Sequence, residues 1–191
     1  MAQMIRFRST ALALALAAGA SSAFAFDETV VNLSITAAEV EQAQKNWGKA
    51  LIQISDDYQS GGRAKATETA KKALDSAYGY KFGTVLFKPT LTHGEQTFRT
   101  TYDGALSYFV GGNPAYPSDT GFALKGWKKY EYKNAAVFVN GNMALTTGHI
   151  ILTDKDGKVT VVDKTWGFKK DDDGSMRIVL HHSSLPYQPA K

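Results

Sequence analysis

The sequence predicts an α+β domain, with N-terminal helices packed on one face of a strongly curved antiparallel sheet whose concave side forms a cone-shaped pocket. Three observations carry this. Apolar residues recur at three- and four-residue spacing between residues 40 and 77. After Gly79 the period drops to that of strands. The last four strand-like runs are joined through Asn140-Gly141, Asp156-Gly157 and Asp173-Gly174, the pairs favoured in hairpin loops. Helices first and a meander afterwards give a layered α+β domain, and a sheet this long must curl.

Residues 1–25 read as a secretory signal. Arg6 and Arg8 precede an apolar run from Ala11 to Ala18, and Ala23-Phe24-Ala25 supplies a small-x-small cleavage site. The run is short of the roughly 20 residues that span a bilayer, so no stable membrane insertion is expected. The mature chain, residues 26–191, is expected to be one domain delivered to the periplasm or secreted.

Within it, Thr36-Ala37-Ala38-Glu39 is a capping box. Val40, Ala43, Trp47, Leu51, Ile54 and Tyr58 form the apolar stripe behind it, which Gly61-Gly62 stops. A second helix buries Ala66, Ala70, Leu74 and Ala77 and closes at Gly79. Three short strands follow: Thr84 to Phe87 ended by Pro89, Thr97 to Thr100, and Leu106 to Val110 ended by Gly111-Gly112. A Gly-, Pro- and Asn-rich loop runs to Gly126. Four long strands then cover Trp127 to Val139, Met143 to Thr153, Val159 to Phe168, and Met176 to Ser184.

Composition excludes several classes of chemistry. Loss of Arg6 and Arg8 with the signal leaves 20 basic side chains against 18 acidic ones, a net charge of +2, and the lysine pairs Lys128-Lys129 and Lys169-Lys170 are too short for a nucleic-acid face. No nucleic-acid partner is expected. The absence of cysteine removes thiolate zinc sites and cysteine nucleophiles. His93, His149, His181 and His182 contain no His-x-His or His-x-x-x-His pair, so zinc is the less favoured reading and no cofactor is expected. The acidic turns at Asp154–Gly157 and Asp171–Gly174 lack the glutamate of a calcium loop.

The most informative segment is Leu180-His181-His182-Ser183-Ser184. Side chains alternate along a strand, so His181 and Ser183 share one face while His182 and Ser184 share the other. Adjacent histidines in a strand therefore cannot hold one metal ion. His181 and Ser183 stand about 7 Å apart, close enough to line one wall through a bridging water. Thr90 ends a strand and Tyr108 lies in an apolar segment where a buried phenol wants a partner. If these four converge, they form a small neutral hydrogen-bonding site; otherwise they are satisfied core groups. Asp103, before Gly104, is the one acid flanked by apolar strand residues, and is read as a turn residue ahead of a general base.

Five segments together resemble the iota-class carbonic anhydrases: Tyr78-Gly79-Tyr80, Val85 to Thr90 with its Lys88-Pro89-Thr90, Gly104 to Val110, Gly121 to Leu124, and Leu180 to Tyr187 with its His-His-Ser-Ser. They occur in order over most of the mature chain. The resemblance implies a fold like nuclear transport factor 2 and the association domain of calmodulin-dependent kinase II. It also implies reversible hydration of carbon dioxide to bicarbonate, metal-free in the branch most similar to this chain. On matching positions Thr90, Tyr108 and Ser183 would hold water or bicarbonate, with His181 beside them. Leu106 and Val110, with Phe98 and Val179, would supply the dry wall for carbon dioxide, and the chain would form a homodimer. The competing readings are a non-catalytic ligand-binding or assembly module of the same fold, and a different pocket enzyme such as an isomerase or cyclase with Asp103 as base.

Overall fold

The Thr36 hydroxyl accepts from the Glu39 amide at 3.2 Å while the Glu39 carboxylate accepts from the Thr36 amide at 2.8 Å, and this capping box opens helix α1, Ala37–Ala77. The computed structural model describes residues 32–189; the expected signal at residues 1–25 lies outside them. Gly62 sits inside α1 at φ 70°, ψ −169°, a conformation only glycine adopts readily, and it breaks the helix into the two expected halves. The Asp57 carboxylate fastens the kink by accepting from Thr69 at 2.6 Å and pairing with Lys65 at 3.1 Å. At the far end Tyr78 caps α1, and the Gly79 amide donates to the Ile178 carbonyl. That bond ties the end of α1 to the last strand.

Among the described residues the sheet has five strands, β1 (Leu86–Lys88), β2 (Trp127–Asn140), β3 (Met143–Asp154), β4 (Val159–Lys170) and β5 (Met176–Ser184), in the order β1-β5-β4-β3-β2. The four long strands form the expected antiparallel meander, turning at Gly141, Gly157 and Gly174, all at positive φ. β1 departs from expectation because it pairs parallel to β5, placing Phe87 beside His181 and Lys88 beside His182. A parallel neighbour needs a long crossover, and residues 89–175 supply it.

Two expected strands are absent. Leu106 to Val110 lies in helix α2, Tyr102–Val110. Thr101 caps it by accepting from the Gly104 amide, Asp103 occupies its first turn, and Gly111 ends it at φ 63°. A short apolar run reads equally as strand or buried helix, and here the cap decides. Thr97 to Thr100 forms no strand: Thr97 closes a short helical turn from Gly94, and the Arg99 amide donates to the Phe87 carbonyl.

Three register shifts bend the sheet, between Trp127 and Lys129, between Asn134 and Ala136, and between Gly167 and Phe168. The last places Val179 as an extra residue on β5, so that Ile178 and His181, three positions apart, are both buried. The inner face of β4 carries Val162, Lys164, Trp166 and Phe168, all buried. Helix α1 lays Trp47 on this face, its ring 5.1 Å from that of Trp166.

Candidate active site

Strand alternation places the His-His-Ser-Ser residues as the sequence predicts. His181 and Ser183 are buried, whereas His182 is exposed and Ser184 half-buried. The Ser183 hydroxyl meets the Thr90 hydroxyl at 2.8 Å in a fully buried contact. Thr90 is delivered by the segment that leaves β1 through Pro89, and the neighbouring Lys88 ammonium donates to the Ser183 carbonyl at 2.9 Å. Two distant stretches are thereby fixed against each other.

Tyr108 enters from α2. Its ring stacks on Phe122 at 5.4 Å and meets Phe87 edge-on at 5.8 Å. Its hydroxyl is buried and has no hydrogen-bond partner among the described residues. Burial pushes this phenol well above its ordinary range, although the Thr90 hydroxyl and the Thr90 and Leu91 backbone approach it and favour ionisation. A cavity of about 30 Å³ lies beside the ring, lined by Leu91, Asp119, Gly121, Phe122 and Lys125 among others. The helix turns Leu106 and Val110 away from Tyr108, because residues two apart on a helix point about 200° apart. Val110 is buried and Leu106 partly so, but neither joins the hydroxyl cluster; Phe98 is 66% exposed, so it supplies no dry wall. The apolar rings that pack on Tyr108 are those of Phe87 and Phe122.

His181 joins a second polar chain. Its Nδ1 lies 2.7 Å from the Tyr78 hydroxyl, which accepts from Trp47 Nε1–H at 2.9 Å. Its Nε2 lies 2.5 Å from Lys164 Nζ. The imidazole is clasped between Phe87 at 4.3 Å and Trp166 at 4.4 Å. Burial, with Lys164 adding to it, holds its pKa well below the usual histidine value, so the ring is neutral. Lys164 lies 4.9 Å from the centre of the Trp47 ring and 4.8 Å from that of Trp166, and burial pulls its pKa well down.

Tyr78, Trp47 and Lys164 were not singled out as site residues by sequence reasoning. One signal was available: alternation in Val162-x-Lys164-x-Trp166-x-Phe168 puts a lysine on an otherwise apolar strand face. Asp103 is exposed in the first turn of α2, and therefore no base in a pocket. His93 is exposed, and His149 pairs with Asp163 on the outer face at 3.1 Å. Among the described residues no group of three or more His, Cys, Asp or Glu side chains stands close enough to hold a metal ion.

Comparison with known proteins gives concordant matches. The family model described as metal-independent carbonic anhydrase matches residues 38–185. A metal-independent carbonic anhydrase of Nostoc sp. (strain PCC 7120) is 58% identical over 159 residues, covering 83% of this chain and 78% of its own. The crystal structure of a cyanobacterial iota-carbonic anhydrase complexed with bicarbonate is similar at TM-score 0.84 and 57% identity, over 86% of this chain and 100% of that one. A putative dehydratase of the NTF2-like family from Streptomyces avermitilis shares the fold, with TM-score 0.50 and 15% identity over 79% of this chain and 96% of its own.

Proposed function

The chain belongs to the metal-independent carbonic anhydrase family, and from that premise we propose that Thr90, Tyr108 and Ser183 hold the reacting water and the forming bicarbonate. The reaction is the reversible hydration of carbon dioxide, run without a metal cofactor. The observation that carries the assignment of residues is the buried Thr90–Ser183 hydroxyl pair beside the unpartnered Tyr108 hydroxyl.

Counting hydrogens gives this cluster its capacity. Within the pair one hydroxyl donates and the other accepts, so the acceptor keeps its own O–H for a third group. Tyr108 offers a second free O–H. Two donors and several lone pairs remain, enough to orient a water by its hydrogens and to bind a bicarbonate by its oxygens. Carbon dioxide, apolar and linear, is accommodated by the Phe87 and Phe122 rings. Catalysis then rests on orienting water beside carbon dioxide and on stabilising the charge that grows on the new carboxylate oxygen. The raised pKa of Tyr108 keeps it a donor, not a phenolate, through the neutral range.

Mature protein treated with chelator and freed of metal is expected to hydrate carbon dioxide at the rate of the untreated protein, read by stopped-flow pH-indicator assay. Protein inactive in both states would overturn the enzymatic reading, and activity returning only with added zinc would overturn the metal-free one.

We further propose that the mature chain pairs through the outer sheet face. Phe138 and Leu145 are exposed and face each other across β2 and β3, with Val161 exposed on β4, and a second copy would cover them. The charged, apolar and Ala-x-Ala parts of residues 1–25 support export. Protein recovered from the periplasm is expected to begin at Phe26 and to sediment at twice the mature mass; a monomer at micromolar concentration, or an uncleaved N-terminus, would refute the respective half.

A further inference from the structure

The chain Trp47–Tyr78–His181–Lys164 has a definite hydrogen inventory. Trp47 Nε1 can only donate, and it donates to the Tyr78 oxygen. Among the described residues the Tyr78 O–H then has one acceptor in reach, His181 Nδ1. A neutral imidazole that accepts at Nδ1 carries its hydrogen on Nε2. That hydrogen faces Lys164 Nζ at 2.5 Å, where an ammonium would set donor against donor. Only an amine lone pair matches. Trp47, Tyr78 and His181 are then satisfied, and the Lys164 nitrogen sits against the faces of the Trp47 and Trp166 rings.

The surroundings of Lys164 fit an uncharged amine. Trp47 faces it from α1, Trp166 from β4 and His181 from β5; His182 on β5 and Lys88 on β1 act on His181 and its neighbour from further off. The residue opposite it on β3 is Gly148, which brings no side chain. Among the described residues no carboxylate pairs with it, and burial alone draws its pKa down. On the other side, Lys164 stands directly across from Ser183 in the β4–β5 register, and both side chains are buried on the inner face.

We infer that Lys164 is the proton acceptor of the hydration step, a neutral amine while carbon dioxide occupies the site and an ammonium once bicarbonate has formed. The inference rests on the reading that Thr90, Tyr108 and Ser183 hold the reacting water. The water oxygen bonds to the carbon of carbon dioxide, one C=O π pair moves onto oxygen as the bicarbonate charge, and one water proton passes through a bridging water to the Lys164 lone pair. The amine turns about its Cε–Nζ bond to receive it. Neutral reactants yield an ammonium beside an anion, so the buried site keeps zero net charge throughout. The three hydroxyls are already protonated, His181 Nε2 carries its own hydrogen, and a proton on His181 Nδ1 would displace the Tyr78 O–H from its acceptor, whereas the Lys164 lone pair is freed by a turn of the amine. A stray solvent proton is disfavoured, because an ammonium would move the imidazole hydrogen to Nδ1 and strand the Tyr78 O–H. The adjacent anion offsets that mismatch.

The test reads both charge state and rate. In ¹⁵N-lysine-labelled protein, the Lys164 Nζ signal, assigned by through-bond correlation, is expected at an amine shift in bicarbonate-free buffer at neutral pH and at an ammonium shift in saturating bicarbonate. Lys164→Met is expected to lower kcat about 100-fold with KM for carbon dioxide within about twofold, and to flatten the rise of kcat/KM with pH that the wild type shows as its amine deprotonates. An ammonium, or an amine, under both conditions would overturn the inference alone while wild-type activity stood. Lys164→Met within about threefold of the wild-type rate would do the same. Wild-type protein unable to hydrate carbon dioxide would remove the reading beneath it, and the inference with it. Should Lys164→Met fail to fold, the wild-type spectra decide.

Discussion

Ser183→Ala is expected to lower kcat/KM for carbon dioxide hydration by about 100-fold, with Tyr108→Phe close behind and both proteins folded. The scale is that of removing one preorganised donor from a site that stabilises developing charge, roughly 10² to 10³ in rate. Two features of the geometry raise Ser183 to the top. Its hydroxyl is the 2.8 Å partner of Thr90, so the deletion strips the site of one group and takes from another its hydrogen bond. Tyr108→Phe removes a hydroxyl that bonds to no protein group, and so disturbs nothing except what occupies the site. The tyrosine variant is therefore expected to keep wild-type stability, whereas Ser183→Ala gives up about 1 kcal/mol. Thermal melts beside stopped-flow rates separate the two effects. A Ser183→Ala protein within about threefold of the wild-type rate would remove the hydroxyl pair from the mechanism.

How much of this could be read from the sequence depends on which interactions set each element. The four long strands and the α1 kink were legible because alternation, Asn-Gly or Asp-Gly turns and the Gly61-Gly62 pair are local signals. Helix α2 was not, since the five-residue run Leu106 to Val110 fits either period and the choice lay in the Thr101 cap. The parallel pairing of β1 to β5 depends on an 87-residue crossover, and no short-range pattern encodes it. The site divides along the same line. Thr90, Tyr108, His181 and Ser183 entered through an ordered resemblance, and alternation correctly assigned His181 and Ser183 to the inside. Leu106 and Val110 were expected on a strand with Tyr108, and helix α2 turns them to a different face. Tyr78 and Lys164 reach His181 from the end of α1 and from β4, and that convergence exists only once the sheet has folded.

Asp119→Ala is expected to destabilise the fold by about 3–5 kcal/mol, the range for leaving one partner of a buried ion pair uncompensated. Asp119 and Arg99 are 4% and 1% exposed, and their contact is 2.8 Å. The guanidinium also lies 4.6 Å from the centre of the Tyr116 ring, and its Nε and Nη1 find no other partner among the described residues. The alanine variant therefore leaves a buried guanidinium without its carboxylate. The effect reaches the active site, because the second Asp119 oxygen accepts from Ser107 at 2.7 Å and Ser107 precedes Tyr108 on α2. Asp119 therefore positions the helix that delivers the tyrosine. For a domain of this size the loss corresponds to a fall in Tm of roughly 6–20 °C. Removing both charges in Arg99→Met/Asp119→Leu is expected to cost less than Asp119→Ala alone, since no charge is stranded. An Asp119→Ala protein melting within about 2 °C of wild type would show that the guanidinium is compensated by something other than this carboxylate, and would release α2 from its tether.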